Sequence, residues 1–432
     1  MIGVGIVGFG TVGTGTARIL LDKAGLLKDR TGIDIRLKRI ADLDIRRDRG
    51  LRLPKGTLTA DSDALIGDPE VRIVVELIGG TTFAKELILK AIAAGKHVVT
   101  ANKALLATHG AEIFRAASKA NVEIGFEAAV AGGIPIIKVI REGLVANRIN
   151  AVYGIINGTT NYILTKMTEE KAEFSDVLRE AQKLGYAEAD PTYDIEGIDS
   201  AHKLAILASL SYGSQFSLRD VHCEGISWIS PMDIEFAREL GYKVKLLAIA
   251  KEAEGKVELR VHPTMVPEEY LISKVDGVYN AVYVEGDAVG STLYYGRGAG
   301  DMPTGSAVVS DIVDIARDIM NNSPGRVPII THTVKPKRLR KMDDVVSMYY
   351  FRFSALDRPG VLSKISGILG KYHISIVSVI QKGRREGKAV PLVVLTHKAR
   401  EKDVVTAVRE INRLSVVVGK TVFLRVEGKE PD

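Results

Sequence analysis

The stretch IGVGIVGFGTVGTGTARILL, residues 2–21, decides the fold at the start of the chain. It runs from a short apolar segment, residues 2–7, through a glycine-rich turn, residues 8–15, into apolar residues at helical spacing. A strand, a turn and a helix in this succession begin a βαβ unit. Strand-like and helical runs continue to alternate to about residue 110. The sequence therefore predicts an α/β fold with a doubly wound parallel sheet of the Rossmann type.

Three glycines of this turn, Gly8, Gly10 and Gly13, have the spacing G-x-G-x-x-G. The first permits a tight turn, the second lets a pyrophosphate approach the backbone, and the third lets the helix lie close to the strand. The pyrophosphate then lies at the helix N-terminus, at Thr11 and Val12. We predict a dinucleotide site here. The alternative is a glycine-rich turn in another kind of α/β protein.

The choice between NAD and NADP stays open in the sequence. Asp42 ends the second predicted strand, residues 33–42, where a carboxylate favours a free ribose 2′-hydroxyl. Four arginines flank it and could pair with a 2′-phosphate: Arg39, Arg46, Arg47 and Arg49. Because the two signals conflict, we predict a nicotinamide dinucleotide without choosing one.

Further elements follow along the chain. Residues 72–80 predict a third strand, and residues 97–110 a fourth strand that passes into a loop. Lys103 lies in this loop, at the edge where such sheets bind ligands, and fits either an exposed lysine or one facing the ligands. Residues 123–167, with later alternating runs at 257–262 and 278–285, predict a mixed α/β region, in which residues 149–167 are a strand ending in a polar turn. Residues 296–320 predict a helix that returns to the first domain.

The stretch YAEADPTYDIEGIDSAHKLAILASL, residues 186–210, places five carboxylates before a helix that begins near Asp199. Asp199 and Lys203 are four residues apart and share a face; an exposed pair of this kind contributes only about 0.3–0.5 kcal/mol. The residues after Lys203 are apolar nearly all round, so we expect a buried helix, in which an unpaired lysine is costly. Nearby carboxylates keep such a lysine charged, as a proton donor requires. The alternative is a solvated connector.

Length and composition limit the number of domains, the class of protein and its partners. The 432 residues suit two or three domains, and 46% hydrophobic with 26% charged residues is typical of a globular protein. The net charge of +6 does not by itself indicate nucleic acid or an anionic membrane as a partner. The sequence has a single cysteine, Cys223, and we find neither a signal sequence nor an apolar stretch of 18 residues. These features predict a cytoplasmic protein without membrane spans.

The C-terminal residues 347–427 have strands and helices in the order βαββαβ, which predicts a small sheet covered on one face by two helices. The first helix follows the turn DRPG, residues 357–360, with Pro359 near N1 and Val361, Leu362 and Ile365 on its apolar face. Residues 331–346 before this region predict a basic linker. A less favoured hypothesis is a non-enzymatic protein that contacts nucleic acid through residues 335–341.

The segment from Ala181 to Lys203, A-x3-G-Y-A-x-A-D-P-x2-D-I-x-G-x-D-x3-K, resembles the signature of homoserine dehydrogenases. The early glycine turn, ANK, EAAVAGGIP and NGTTNYIL extend the resemblance over nearly all of residues 1–320. The last 80 residues resemble an ACT domain. This resemblance implies reversible reduction of L-aspartate 4-semialdehyde to L-homoserine with NAD(P)H, a step toward threonine, methionine and isoleucine. The alternative is another NAD(P)-linked oxidoreductase with an amino-acid sensor.

The resemblance also implies roles for individual residues. Lys203 is implied as the general acid, and Lys103 as a second lysine where substrate meets nicotinamide. The implied substrate residues are Glu188, Asp199, Asp194 and Thr159, and Gly185 and Gly305 are implied beside the cofactor. Asp190 and Glu196 are expected to be solvated.

Two further sites are implied. Glu127 and the carbonyls of Val130, Gly132 and Ile134 match the family's monovalent-cation site, usually sodium; the alternative is a strand-end carboxylate without a metal. The ACT-like region is expected to bind an amino-acid effector, with threonine as a candidate, or only to mediate assembly. Its expected contacts are Asp357, Arg358, Pro359, Gly360 and Val361, with Leu362 behind them.

The expected organisation has four parts: an NAD(P)-binding domain at 1–133 completed by 306–330, a catalytic and dimerisation domain at 134–305, a linker at 331–346, and a regulatory domain at 347–427. We expect a homo-oligomer, a dimer or a tetramer, with no nucleic-acid or membrane partner.

Overall fold

A computed structural model describes residues 1–328, 337–382 and 388–428 of the chain. The chain divides into two compact units: the first comprises 1–158, 199–221 and 278–337, and the second 159–198, 222–277 and 338–432. Residues 331–336 of the predicted basic linker and residues 329–330 of the predicted NAD(P)-binding domain lie outside the described residues. The four predicted domain boundaries stay a prediction.

Strands and helices alternate through the first 125 residues, as predicted. The strands are β1 (Ile2–Val7), β2 (Ile35–Ala41), β3 (Leu58–Thr59), β4 (Val71–Glu76), β5 (His97–Thr100), β6 (Ile124–Gly125), β7 (Ile149–Ile155), β8 (His222–Cys223), β9 (Tyr242–Ala253), β10 (Lys256–Pro267), β11 (Tyr279–Gly286), β12 (Gly290–Arg297), β13 (Arg338–Leu339), β14 (Val346–Leu356), β15 (Ile376–Gln381), β16 (Ala389–Thr396), β17 (Ala399–Arg400) and β18 (Val422–Val426). The helices are α1 (Thr11–Asp22), α2 (Ala24–Thr31), α3 (Ser62–Gly67), α4 (Thr82–Ala93), α5 (Lys103–Ala120), α6 (Ile136–Lys138), α7 (Gly158–Glu170), α8 (Phe174–Lys183), α9 (Thr192–Ile195), α10 (Ile198–Tyr212), α11 (Pro231–Glu239), α12 (Asp301–Met320), α13 (Val361–Lys371) and α14 (Glu401–Ile411).

The first unit contains the predicted parallel sheet, in the order β3-β2-β1-β4-β5-β6. Neighbouring strands pair in parallel throughout, and every residue of β1 is buried. The strand order reverses between β1 and β4, and open α/β sheets bind ligands at the carboxyl ends of the strands at such a point. The glycine turn after β1 therefore lies where a ligand is expected. The predicted Rossmann-type sheet is confirmed.

Helix α12 returns to the first sheet and packs along α1. Two glycines allow the backbones to approach: a Cβ on Gly15 would lie 2.2 Å from the Asp301 carbonyl oxygen, and one on Gly305 would lie 2.8 Å from the Thr16 nitrogen. Gly305, implied beside the cofactor, is thus needed for this helix contact. A side chain there would push α12 off α1.

A predicted loop and a predicted polar turn are both helical in the structure. Residues 103–120 form α5, because the Asn102 side chain accepts a hydrogen bond from the Leu105 N–H at 3.1 Å and caps the helix. Thr159 lies in the first turn of α7, so the prediction that it lies in a turn was wrong. The physical reason is common to both: asparagine, glycine and threonine favour turns and helix starts alike, because their polar groups or small size suit both.

The remaining strands form antiparallel and mixed arrangements. In the first unit β11 pairs antiparallel with both β7 and β12. In the second unit the order is β9-β10-β18-β14-β16-β15, with β10 and β18 parallel and the other neighbours antiparallel. The sheet of the C-terminal region thus continues into β9 and β10 of the same unit.

The C-terminal region has the predicted βαββαβ order: β14, α13, β15, β16, α14 and β18. Tyr349, Phe351 and Phe353 are fully buried, and they form one core with Ile365 and Leu369 of α13. Pro359 precedes the helix instead of lying in it, since Gly360 is the N-cap with φ of 84°. Leu362 is 43% exposed, so its predicted place on the buried face was wrong; only Val361, Ile365 and Leu369 of α13 are fully covered.

Within the described residues, no helix combines the length and the apolar composition that crossing a bilayer requires.

Candidate active site

Helix α10 carries Asp199 in its first turn and Lys203 one turn later. The helix is buried nearly all round, as its sequence predicts, and the side chains of Asp199 and Lys203 are only 5% and 11% exposed. Lys203 Nζ lies 2.6 Å from Asp199 Oδ2 and also donates to the Ile156 carbonyl oxygen at 2.6 Å. The pair is therefore internal, and the interpretation as a solvated surface pair is excluded.

A second lysine reaches the same carboxylate. Lys103, the first residue of α5, places its Nζ 2.9 Å from Asp199 Oδ1. Asn157 Nδ2 donates to Asp199 Oδ2 at 2.9 Å. The structure thus brings together three of the predicted residues, Lys103, Asp199 and Lys203, from two helices of the first unit.

The electrostatics of this cluster follow from burial and charge. Burial by itself would raise the pKa of the Asp199 carboxyl. The positive charges of Lys203 and Lys103, together with hydrogen bonds from Lys203 and Asn157, hold that pKa well below its usual range. Asp199 is therefore ionised, and two ammonium groups share one carboxylate. The resulting positive excess suits negative charge that develops on a substrate oxygen.

Two buried polar residues, Asn157 and Glu76, were not predicted from the sequence as parts of the site. Asn157 is 6% exposed and lies two residues after β7; its position after an apolar strand is the signal that could have indicated it. Glu76 is fully buried at the end of β4, where its carboxylate accepts hydrogen bonds from Thr100 Oγ1 at 2.6 Å and from the N–H groups of Ile78 and Gly79. Burial raises the pKa of Glu76. A lone carboxylate inside the apolar run 72–80 was the available signal.

The other implied substrate residues belong to the second unit. Thr159 Oγ1 donates to the Tyr186 carbonyl oxygen at 2.7 Å, and Gly185 has the left-handed φ of 75° that ends the α8 segment. Glu188 has an exposed side chain, while its carbonyl oxygen accepts from Gln182 Nε2 at 3.1 Å. Asp194 lies half-buried in α9. The substrate and cofactor roles implied for these residues stay predictions.

The carboxylates expected to be solvated differ from one another. Asp190 is exposed, as expected, and accepts from the Thr192 N–H at 3.1 Å. For Glu196 the expectation was wrong: it is half-buried, and its Oε1 accepts from Ser227 Oγ at 3.0 Å. The neighbouring Cys223 donates to the Glu196 carbonyl oxygen, and burial raises the pKa of its thiol to about 11. A thiol with this pKa is unreactive at neutral pH.

The glycine turn has the geometry that a dinucleotide requires. Gly8 has φ of 101°, and a Cβ on it would lie 2.6 Å from the Leu77 backbone. A Cβ on Gly13 would lie 2.1 Å from the Gly8 carbonyl oxygen, whereas none of the described atoms lies within 4 Å of the Cβ position at Gly10. Gly10 also caps α1 without a side chain, so the first-turn N–H groups, at Thr11 and Val12 among others, can face an anion. These residues fit a pyrophosphate.

Asp42 follows β2, and its carboxylate is engaged. Its Oδ2 accepts from the Phe9 N–H at 2.6 Å, and its Oδ1 accepts from Asp44 N–H at 2.8 Å and from Arg49 Nη2 at 3.1 Å. Arg39 pairs with Asp68 at 3.0 Å. Arg46 and Arg47 are exposed, and in the described part of the chain their side chains have no hydrogen-bond or ion-pair partner.

Glu127 is a buried carboxylate at 4% exposure. Its two oxygens accept hydrogen bonds from the N–H groups of Ile137 and Lys138, at 2.8 and 2.9 Å. Burial raises the pKa of Glu127 to about 7. A cation beside this carboxylate would keep it ionised, so the donor chemistry fits a hard monovalent ion.

The segment that carries the implied carbonyl ligands of the cation, Val130, Gly132 and Ile134, is tightly held. A Cβ on Gly132, whose φ is 49°, would lie 2.3 Å from the Gly298 carbonyl oxygen. In the described ranges, no group of three or more His, Cys, Asp or Glu side chains could hold a metal. The implied cation site has a single such side chain, Glu127, so that finding leaves it a prediction.

The implied effector residues lie at the turn between β14 and α13. Asp357, Arg358 and Pro359 lead into Gly360, whose left-handed conformation opens the helix at Val361. Asp357 Oδ1 accepts from Gln381 Nε2 at 3.4 Å, which joins this turn to β15. The side chains of Arg358 and Pro359 are exposed, as a ligand-binding turn permits.

Comparison with known proteins identifies relatives along the whole chain. Family models described as "Homoserine dehydrogenase, NAD binding domain", "Homoserine dehydrogenase" and "ACT domain" match residues 8–127, 135–313 and 349–416. A homoserine dehydrogenase of Neisseria gonorrhoeae is 47% identical over 99% of this chain and 98% of its own length. The crystal structure of a homoserine dehydrogenase from Thiobacillus denitrificans has a TM-score of 0.93 at 50% identity, covering 99% of this chain and 98% of that one. A hyperthermophilic archaeal homoserine dehydrogenase in complex with NADPH has a TM-score of 0.60 at 27% identity, covering 73% of this chain and 97% of that one.

Proposed function

The chain belongs to the homoserine dehydrogenase family, and we propose that Lys203 is the general acid of its reaction. As a member it is an NAD(P)-dependent oxidoreductase with an ACT domain, and it interconverts L-homoserine and L-aspartate 4-semialdehyde. The observation that carries the residue assignment is the internal cluster in which Asp199 is shared by Lys203 and Lys103.

The nicotinamide cofactor, when bound, donates the hydride in reduction and accepts it in oxidation. The chain's own residues handle the proton. In reduction the Lys203 ammonium donates a proton to the aldehyde oxygen as that oxygen becomes an alkoxide, and in oxidation neutral Lys203 takes the proton from the homoserine hydroxyl. Asp199 holds the Lys203 amine in place at 2.6 Å and favours its charged form. Lys103 adds a second positive charge that stabilises the developing alkoxide.

The amino-acid end of the substrate needs its own partners. Following the family signature, we assign Glu188 to the substrate ammonium, with Asp194 supporting it and Thr159 at a neighbouring polar contact. Asp199, which the signature also implies there, is engaged by the two lysines. The support for this assignment is chemical, since carboxylates are the natural partners of an ammonium group.

The direct test is homoserine oxidation at alkaline pH, followed at 340 nm with NAD and with NADP, with and without threonine. Alkaline pH favours oxidation because that direction releases a proton. Turnover of homoserine supports the proposal, and inhibition by threonine supports an effector site at residues 357–362. Turnover of another semialdehyde but not of aspartate semialdehyde, in folded protein, would overturn the substrate assignment.

NADP is the cofactor that the loop after β2 favours. The Asp42 carboxylate is offset by Arg49, and Arg46 and Arg47 lie exposed beside it. Arginines in such a position pair with a ribose 2′-phosphate. The archaeal relative bound to NADPH is consistent with this preference.

Replacing Arg46 and Arg47 together with alanine is expected to raise the KM for NADPH about 10-fold or more, because one charge-assisted hydrogen bond contributes roughly 1.5–3 kcal/mol. The KM for NADH should change by no more than about twofold, since NADH lacks the ribose 2′-phosphate. Steady-state kinetics with both cofactors measure this, and Arg30→Ala, another exposed arginine of the first unit, is the control. Equal effects on both cofactors would contradict the assignment.

Sodium is the cation that we propose at Glu127, with the carbonyl oxygens of Val130, Gly132 and Ile134. Such an ion would hold residues 127–134 in place and would leave the chemical step to the lysines. Since it binds only the folded chain, a concentration 100-fold above its Kd should stabilise the protein by about 2.7 kcal/mol.

We expect the melting temperature to rise with sodium chloride more than with tetramethylammonium chloride at equal ionic strength. Glu127→Gln should lose this sodium-dependent rise, because a neutral amide offers the ion less attraction. Differential scanning calorimetry of both proteins measures the difference, and circular dichroism checks that the variant is folded. A sodium response equal in both would contradict the site.

Assembly and location complete the proposal. We propose a homo-oligomer, in which ACT domains of two copies associate, because strand β15 lies at the end of its sheet with partly exposed apolar residues such as Val379. The cytoplasmic location predicted from the sequence stays a prediction.

A further inference from the structure

Residues 186–197, here called the acidic loop, precede α10 and contact a second segment, Cys223–Ser227, here called the clasp. The Ile226 N–H donates to the Ile195 carbonyl oxygen at 2.9 Å, and Ser227 Oγ donates to Glu196 Oε1 at 3.0 Å. Gly225 lies so close that a Cβ on it would be 2.6 Å from the Ile195 carbonyl oxygen. The clasp and the loop therefore touch backbone to backbone, and a shift of the clasp must move the loop.

The clasp is fixed in turn by strand β18, which pairs with β14 in the sheet of the ACT domain. Arg425, in strand β18, is 2% exposed and forms a two-point ion pair with Glu224 of the clasp: Nη2 lies 2.8 Å from Oε1, and Nη1 lies 3.0 Å from Oε2. His222 Nε2 lies 2.7 Å from the same Oε1. Two parallel hydrogen bonds fix orientation as well as distance. The ion pair of Glu224 with Arg425 thus connects the clasp to the sheet that contains β18.

Arg425 itself is held from the other side. Its Nε lies 2.9 Å from Oε2 of Glu401 in α14, and the Tyr349 hydroxyl donates to that oxygen at 2.6 Å. Nearby, Glu427 pairs with Arg260 of β10 at 2.6 Å, and both are buried. Arg425 therefore has little freedom to move, and the position of Glu224 follows from the ACT core.

From these contacts we infer that Glu224 is a positioning residue for the reaction: the ACT domain, through Arg425, Glu224 and the clasp, sets the place of the acidic loop that binds the substrate's ammonium group. The inference rests on the proposed function, since it takes that loop as the substrate loop. It assigns the ACT domain a role in substrate affinity even when no effector is bound.

Glu224→Gln tests this inference, because glutamine keeps the shape but loses the charge that Arg425 holds. We expect the KM for homoserine to rise on the order of 10-fold, as misplacement of a binding group does, with kcat and the cofactor KM within about twofold. The matched control is Asp233→Asn, which removes the buried carboxylate of another two-point ion pair in the same unit, that with Arg352, and leaves Arg425 and Glu224 paired. It should lower the melting temperature similarly and leave the homoserine KM unchanged.

Two further variants keep the test sharp. Arg425→Gln should raise the homoserine KM as Glu224→Gln does, and the double variant should raise it no further, because both changes break one connection. Ser227→Ala, an exposed change that leaves the buried charges intact, should give a smaller rise of about two- to threefold, since it removes one hydrogen bond. It replaces Glu224→Gln as the test if that variant does not fold.

The chain's single tryptophan gives an independent reading. Trp228 follows the clasp directly and is 40% exposed. Homoserine added with cofactor should change its fluorescence in the wild type, and Glu224→Gln should need about 10-fold more homoserine for the same change. A homoserine KM that is unchanged in Glu224→Gln, or raised equally in Asp233→Asn, would overturn the inference. Lack of wild-type turnover would instead count against the proposed function.

Discussion

Replacing Lys203 with alanine is expected to lower kcat by roughly 10²–10⁴, the usual contribution of a positioned acid or base. The side chain is 11% exposed, and its amine is fixed by Asp199 and by the Ile156 carbonyl oxygen, so water cannot readily take its place. The cofactor KM should change little, because the glycine turn is unaltered. Initial rates of homoserine oxidation and of semialdehyde reduction measure the loss.

Lys166→Ala is the matched control for this change. Lys166 and Glu170 form an ion pair across the same four-residue spacing, at 2.6 Å, but with side chains 27% and 48% exposed. Its loss should leave kcat unchanged, because an exposed pair contributes little and touches no reacting group. An undiminished kcat in Lys203→Ala, in protein that still binds NADPH, would contradict the general-acid role.

Asp199→Asn is expected to lower kcat on the order of 10²-fold. The carboxylate is shared by Lys203 and Lys103, at 2.6 and 2.9 Å, and without its charge the two ammonium groups repel each other and leave their places. Steady-state kinetics separate the two possible roles of Asp199. A change confined to the homoserine KM would place Asp199 on the substrate and contradict its role in holding the lysines. Asp63→Asn, which removes an exposed ion pair with Lys90, is the control.

The difference in stability between the wild type and Asp199→Asn should depend on pH. Since the pKa of Asp199 is lower in the folded chain than the unfolded value of about 3.9, its ionised form stabilises the protein above that pH. This stabilisation is lost as the pH falls through the lower folded pKa. The free energy of unfolding should therefore differ between wild type and Asp199→Asn at neutral pH, and the difference should shrink below pH ~4. Denaturant titrations at both pH values measure it.

The sequence alone determined the features that depend on residues close to one another along the chain. The spacing of Gly8, Gly10 and Gly13 between a strand and a helix predicted the parallel sheet and its dinucleotide site, because the required turn is made by these residues themselves. The apolar surroundings of Lys203 predicted a buried, paired lysine, since burial of one helix is visible in its own pattern. The βαββαβ order of the C-terminal region followed in the same way from local periodicity.

Only the tertiary structure decided which distant residues meet. Lys103 and Asp199, separated by 96 positions, share an ion pair, and Glu224 meets Arg425 across 201 positions. Three further hydrogen bonds join distant side chains: Arg49 to Asp42, Asn157 to Asp199, and Ser227 to Glu196. None of these contacts could be predicted from residue type, because such residues are also common on solvated surfaces. The physical reason is that hydrophobic periodicity specifies which face of an element is buried, whereas the partner of a charged group is set by how the elements pack, through contacts that leave no local trace in the sequence.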